Sequence, residues 1–333
     1  MLSRHLMSLL VATTLLPPFS LLADDEKSAF APGGKLVLVA AQGAGEGPAW
    51  HPKLGLLASF GDIWQHPPQG QGESGVYLKN IGSNGLLFDR QGRLMACQPS
   101  KRRVIRFEKD GKITVLTDRF RGKPYNQPND LTVDSKNRIY FTDPKYGPRE
   151  NMDQRDSAGR EVEGVYRVDS DGKVTRIITH EVDRPNGIVI SADDRYLFVA
   201  DNNNNNTDGG ARRLYRFRLN PDGSVRLKSR KLLFDWKDGR GPDGMVLDQS
   251  GRLFVAGGRN EASKYETAEK FKGGVYVFTP QGKLVDFLAV PGDEVTNCTF
   301  GGPDLKTLFV TSGGKLYSRR VNVAGRLPFP TLK

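Results

Sequence analysis

The sequence is poor in the residues that staple small domains or build metal centres from soft ligands. Two cysteines and four histidines in 333 residues exclude a disulfide scaffold, a Cys-rich zinc site and a His-rich metal centre. No stretch carries sustained helical periodicity, which removes helical bundles and α/β folds. After residue 23 no segment is long and apolar enough to span a bilayer. No stripe of interleaved aromatic and basic residues is present, so nucleic acid is not an expected partner. A Gly-x-Ser-x-Gly run is missing too, which argues against a serine nucleophile.

What is abundant is turn chemistry. The chain holds 38 glycines and 20 prolines, a composition suited to many short strands. Its formal charge is +11, scattered in pairs such as Lys101-Arg-Arg103, Arg212-Arg213 and Arg319-Arg320. Scattered pairs read as solvated surface that would suit acidic substrates or an anionic envelope. Residues 1–23 combine a basic start at Arg4 with the apolar run Leu6 to Ala23, and Asp24-Asp25-Glu26-Lys27 follows at once. This predicts a cleaved secretory leader ending at Ala23 and an exported, periplasmic or extracellular protein. Residues 24–34 read as a linker and 35–333 as one domain.

Six segments of that domain align without gaps, opening at Glu46, Asn84, Asn129, Asn186, Asp243 and Asn297. Each runs from a polar residue into a short apolar strand, a turn rich in Asp and Gly, and a second apolar strand. Two further strands fill each interval. Four-stranded units repeating every ~40 to 57 residues predict an all-β, six-bladed β-propeller of antiparallel blades around a central channel. The run Lys35 to Ala40 precedes the first unit. Pairing it into the last blade, beside Lys315 to Val323, would close the ring and cover an open edge.

The six opening residues all carry a side-chain oxygen. Asn-Gly and Asp-Gly are common turn pairs, so any one of them alone reads as a turn residue. Six in one register, with Glu46 among them, read instead as a ring converging on the channel. Two carboxylates with amide carbonyls describe a hard-cation site, for which Ca2+ is the first choice. Other divalent cations, Mg2+, Mn2+ and Zn2+ among them, stay open as alternatives.

Several motifs resemble the SMP-30/gluconolactonase/LRE-like family. They are Glu46-Gly-Pro-Ala-Trp50, Gln127-Pro-Asn-Asp130, Arg184-Pro-Asn-Gly187, Gly241-Pro-Asp-Gly244, Tyr140-Phe-Thr-Asp-Pro144 with Tyr146-Gly147, and Thr296-Asn-Cys-Thr-Phe-Gly-Gly302. The resemblance covers roughly residues 35 to 323. It implies one divalent metal, usually Ca2+, at the centre of the propeller, and hydrolysis of a lactone, most often a sugar lactone. By position it implies Glu46, Asn186 and Asp243 as metal ligands, and Asn129 as a ligand or substrate contact. It also implies Asp243 in proton transfer and matches Asp130 as the acidic neighbour of Asn129; on its chemistry Asp130 is the second candidate for the proton. Asn84, Asn129, Asn297 and Tyr146 are the expected substrate contacts. Two departures stand out: Gln127 where some relatives carry a substrate-binding Arg, and Lys145-Tyr146-Gly147 where some carry an acidic substrate ligand.

The chemistry fits these residue types. A cation with open positions polarises an ester carbonyl, and a carboxylate takes the proton from water. A metal-dependent phosphotriesterase and a non-catalytic sugar- or protein-binding propeller are the competing readings. Cys97 and Cys298 are expected as free, buried thiols, with Cys298 turned away from the channel. His51, His66 and His180 read as turn or surface residues. The run Asn202 to Asn206 reads as a solvated loop, with a second Ca2+ as its alternative. The oligomeric state is not legible.

Overall fold

The computed structural model describes residues 28–68, 70–204 and 210–330. The expected leader lies outside the described residues. Among them there is no helix, and hence none long and apolar enough to cross a membrane. Six antiparallel sheets form the blades of a propeller. Their innermost strands are Glu46–His51, Leu86–Phe88, Leu131–Val133, Pro185–Ile190, Pro242–Asp248 and Val295–Gly301.

Both faces of each blade are covered by neighbours, so second strands read as continuous apolar runs. In Tyr196–Asn202 the side chains alternate. Leu197 and Val199 pack with Val165 and Tyr140 of blade three, while Phe198 and Ala200 pack with Met245 and Phe278 of blade five. The turns between first and second strands owe their Asp to one repeated device. Asp89, Asp134 and Asp248 are at most 1% exposed. In each, one oxygen accepts the backbone N–H four residues on (2.9, 3.0 and 2.9 Å) and the other pairs with the Arg side chain there. The charge of each aspartate is thereby met without water.

The ring closes as the topology requires. Val37–Ala40 is the outermost strand of blade six, with Val37 opposite Ser318 and Leu38 opposite Tyr317. Within the expected linker, residues 28–31 are tied into blade six. Ala29 and Phe30 are buried, Phe30 bridges Val321, and Ala31 N–H donates to the Arg320 carbonyl. Buried apolar side chains just ahead of the closing strand anchor it, so this stretch belongs to blade six.

The chain end was not foreseen. Gly325–Arg326 pairs with Asp248 and Leu247, the far end of the innermost strand that begins beside Asp243. A cavity of about 60 Å3 inside the channel is lined by the inner strands and by Arg326, Leu327 and Pro328. Phe329 follows and stacks on His51, 5.3 Å between ring centres. The C-terminal segment therefore covers the end of the channel opposite the oxygen ring.

Candidate metal centre

The six ring residues sit at the start of their inner strands, or just before them. The turn interpretation of the Asn-Gly and Asp-Gly pairs is thereby replaced. Asn186-Gly187 and Asp243-Gly244 lie within strands. The glycines exist for close approach between blades. A Cβ on Gly187 would fall 2.0 Å from the Asp243 carbonyl oxygen, and one on Gly244 1.9 Å from Asn297 Cγ. Gly47 and Gly85 meet the Asn84 and Asn129 carbonyls in the same way. Each glycine thus admits the ring residue of the next blade. In blades three and six the slot holds Asp130 and Cys298 instead.

Around the ring, ligand candidates are held by one polar atom. Glu46 Oε2 accepts from Gly47 N–H at 3.0 Å and from Asn297 Nδ2 at 3.2 Å. Asn186 Nδ2 donates to the Tyr146 hydroxyl. Asp243 Oδ2 accepts from Arg240 Nη2 at 2.7 Å. An oxygen of each is left over: Glu46 Oε1, Asn186 Oδ1 and Asp243 Oδ1 take no hydrogen bond among the described residues. Asp243 Oδ1 is fully buried and unpartnered, an expensive arrangement unless something else binds it. Asn84 and Asn129 make no side-chain hydrogen bond among the described residues, and Asn129 is buried.

No three ionisable ligands of the described residues converge. A cation here would therefore need amide oxygens as well as carboxylates, which suits a hard ion with oxygen ligands. The residues fit that group through the orphaned Asp243 oxygen and the fixed orientation of its neighbours.

The remaining ring members are placed otherwise. Asn297 spends both amide atoms inside the protein: Nδ2 on Glu46, and Oδ1 accepting from Cys298 N–H at 2.8 Å. That orients Glu46 and leaves Asn297 poorly placed as a substrate contact. Asp130 lines the cavity beneath the ring, and its Oδ1 accepts from Leu131 N–H at 2.8 Å. Tyr146 stands at the ring because Gln127 Oε1 accepts its N–H at 2.7 Å. Its ring lies 5.4 Å from the Arg184 guanidinium, which pairs with buried Glu163 at 3.1 Å. Gln127 and the Lys145-Tyr146-Gly147 loop, the two family departures, thus work together.

Sequence reasoning missed Arg240. The equivalent position is Asn126 in blade three and Asp183 in blade four, so the repeat gives no signal for a buried cation. His51, His66 and His180 bond elsewhere, to Lys53 N–H, Ser74 and Asp156 respectively. Cys97 and Cys298 are free and buried, and Cys298 Sγ turns to the Phe254 carbonyl of blade five. Asn203 Nδ2 donates to Asp183 Oδ2 at 2.6 Å. Of the run considered for a second cation, Asn202 to Asn204 are described, and Asn205 and Asn206 lie outside the described residues.

Burial makes the carboxylates of the centre reluctant to ionise. It raises Glu46 well above the usual carboxylate range, with the Asp243 charge adding to the effect. It lifts Asp130 to about 7 and Asp243 to about 6, in the latter case against the pull of Arg240. Away from the ring, burial lifts Asp143 to about 8 and Asp201 to about 7. An acid whose pKa is higher folded than unfolded binds extra protons in the folded state. Its contribution is full below the ordinary carboxylate pKa near ~4 and is lost as pH rises through the folded value. The expected outcome is a melting temperature in EDTA that falls steadily from pH 5 to pH 8, and a flatter profile with Ca2+. A thermal-shift series at fixed ionic strength checks this, and an EDTA profile that is flat or rising would count against it.

Comparison with known proteins agrees with this architecture. Residues 44–314 match the SMP-30/Gluconolactonase/LRE-like region. A gluconolactonase of Zymomonas mobilis is 28% identical over 255 residues, 74% of this chain and 65% of that protein. The chain thus spans just under two thirds of that relative. The pentonolactonase of Haloferax volcanii is 28% identical over 281 residues, 81% of each chain. Among solved structures, a gluconolactonase of Xanthomonas campestris superposes with a TM-score of 0.71 at 28% identity, covering 88% of this chain and 92% of that one. The fold, the motif order and a match over most of the chain lead to one assignment: the protein belongs to the SMP-30/gluconolactonase/LRE-like family.

Proposed function

We propose that the protein hydrolyses a lactone, most readily a sugar lactone, with a divalent cation, Ca2+ in first place, held by Glu46, Asn129, Asn186 and Asp243. The observation that carries this reading is the buried, unpartnered Oδ1 of Asp243 beside an Asn186 whose amide nitrogen is tied to Tyr146. The relatives named as gluconolactonase and pentonolactonase support the substrate class. When bound, such a cation polarises the ester carbonyl and stabilises the oxyanion of ring opening.

The chain's own residues do the rest. Gly47 N–H and Asn297 orient Glu46, Tyr146 orients Asn186, and Arg240 orients Asp243. Arg240 occupies one oxygen of Asp243 and a cation would take the other. That passes the proton from water to Asp130, the second candidate, below the ring. Asn84 and Tyr146 remain as substrate contacts. Export through a leader in residues 1–23 is part of the same proposal.

The test is a pH-stat assay on glucono-δ-lactone and a small lactone panel, run beside a phosphotriester. Activity on a lactone that disappears in EDTA and returns with Ca2+ is the expected result. Turnover of the phosphotriester alone would move the function to phosphotriester hydrolysis. Folded, metal-loaded protein with no activity on either would leave a binding propeller.

A further inference from the structure

Arg240 is 5% exposed, and the charges of Asp243, Glu266 and Glu294 act on it. Its Nη2 donates to Asp243 Oδ2 at 2.7 Å and its Nη1 to the Val295 carbonyl at 3.0 Å. The first contact lies within blade five and the second reaches blade six, so the guanidinium is anchored on two sides. Its charge also acts on Tyr146, which bonds Asn186. A divalent ion at the ring would therefore sit close to a fixed positive charge that cannot leave without stripping a buried carbonyl of its donor. Like charges across a few ångströms of buried protein repel far more strongly than across water.

Resting on the reading of the ring as a metal centre, the geometry points to Arg240 as the residue that sets how tightly the metal is held. Without metal, it supplies the positive charge that buried Asp243 requires and keeps the empty ring from being destabilised by its own carboxylates. With metal, the same charge opposes the cation. The ion is then held loosely enough to exchange. Asp243, already sharing its charge with the guanidinium, donates less to it, which keeps the ion a stronger Lewis acid. Arg240 acts through Asp243 and does not touch the reacting atoms, so it is a positioning residue with an electrostatic task.

Sign separates this from a purely orienting role. If Arg240 only aimed Asp243, its removal would weaken metal binding, as loss of an outer partner usually does. If its charge matters as argued, removal tightens binding. Calorimetric titration of Ca2+ into full-length wild type, Arg240→Gln, Arg240→Met and Arg240→Lys makes the comparison, with melting curves in EDTA and in Ca2+. We expect the Gln and Met variants to bind Ca2+ about tenfold tighter or more, and Lys to stay within about threefold of wild type. In EDTA the neutral variants should melt below wild type, and Ca2+ should close most of that gap. Gln retains a donor for Asp243 and decides the matter should Met fail to fold. Equal or weaker Ca2+ binding by folded Arg240→Gln, with wild type binding normally, overturns the inference and leaves the metal centre standing. Wild type that takes up none of Ca2+, Mg2+, Mn2+ or Zn2+ overturns the metal reading and this inference with it.

Discussion

Asp243→Ala is expected to lower lactone turnover ~100-fold or more and to weaken Ca2+ binding in parallel, whereas Asp130→Asn lowers turnover and leaves Ca2+ binding near wild type. The first effect is large because one residue serves two purposes. Among the described residues Asp243 offers the only fully buried unpartnered carboxylate oxygen at the ring, and it neutralises Arg240. Removing a group that stabilises developing charge in a water-poor site commonly costs ~10² to 10³ in rate. The variant also strands a buried guanidinium, so its fold must be checked by circular dichroism before the rate is interpreted. Asp130 differs in place: it lines the cavity below the ring and leans on Leu131 N–H. Paired calorimetry and pH-stat rates on the two variants decide the roles. If Asp130→Asn keeps full activity while Asp243→Ala loses turnover but still binds Ca2+ normally, the division proposed between ligand and proton acceptor is wrong.

Gly187→Ala carries the second large effect, on stability. The added methyl would meet the Asp243 carbonyl oxygen at 2.0 Å and Gly244 Cα at 2.9 Å, both backbone atoms. No side chain can turn aside to relieve that contact, so two inner strands must separate. The cost should reach ~3 kcal/mol or more, at the upper end of overpacking. Gly75, with nothing within 4 Å of its hypothetical Cβ, is the control and should stay within ~0.5 kcal/mol. Urea denaturation of the two variants beside wild type measures both values. A Gly187→Ala protein as stable as wild type would mean that the inner strands lie further apart than described.

These two residues also show why part of the centre could be seen in advance. The ring positions were legible because six-fold repetition puts equivalent residues in equivalent places, whatever their individual turn propensity. The glycine beside them was legible only as a letter. Its reason, the approach of the next blade, is a distance between strands ~40 to 57 residues apart, and no local rule reaches that far. Arg240 was illegible for the opposite cause, since it occurs once and breaks the repeat. Asn297 opens its repeat as the other ring members do, but its amide is consumed by Glu46 and Cys298. Which ring member faces outward depends on neighbours in space. The C-terminal cover escaped because Gly325–Arg326 is a two-residue strand, too short to leave a periodic trace.

The seam in blade six has a consequence for how the molecule comes into being. Its outer strand, Val37–Ala40, is made long before its other three, which follow the five remaining blades. Contacts such as Arg319 to the Ala31 carbonyl span 288 residues of chain. Until residues 307–320 exist, the first blade lacks the Phe309 ring on which Trp50 stacks, and Val37–Ala40 lacks its partner strand. Closure is therefore a late event of high contact order, and such topologies fold slowly. A nascent or C-terminally truncated chain would display unpaired strand edges, the surface on which β-proteins aggregate. Lys315–Arg320 thus acts as a completeness check, since until that strand is in place the ring cannot hide its own edges.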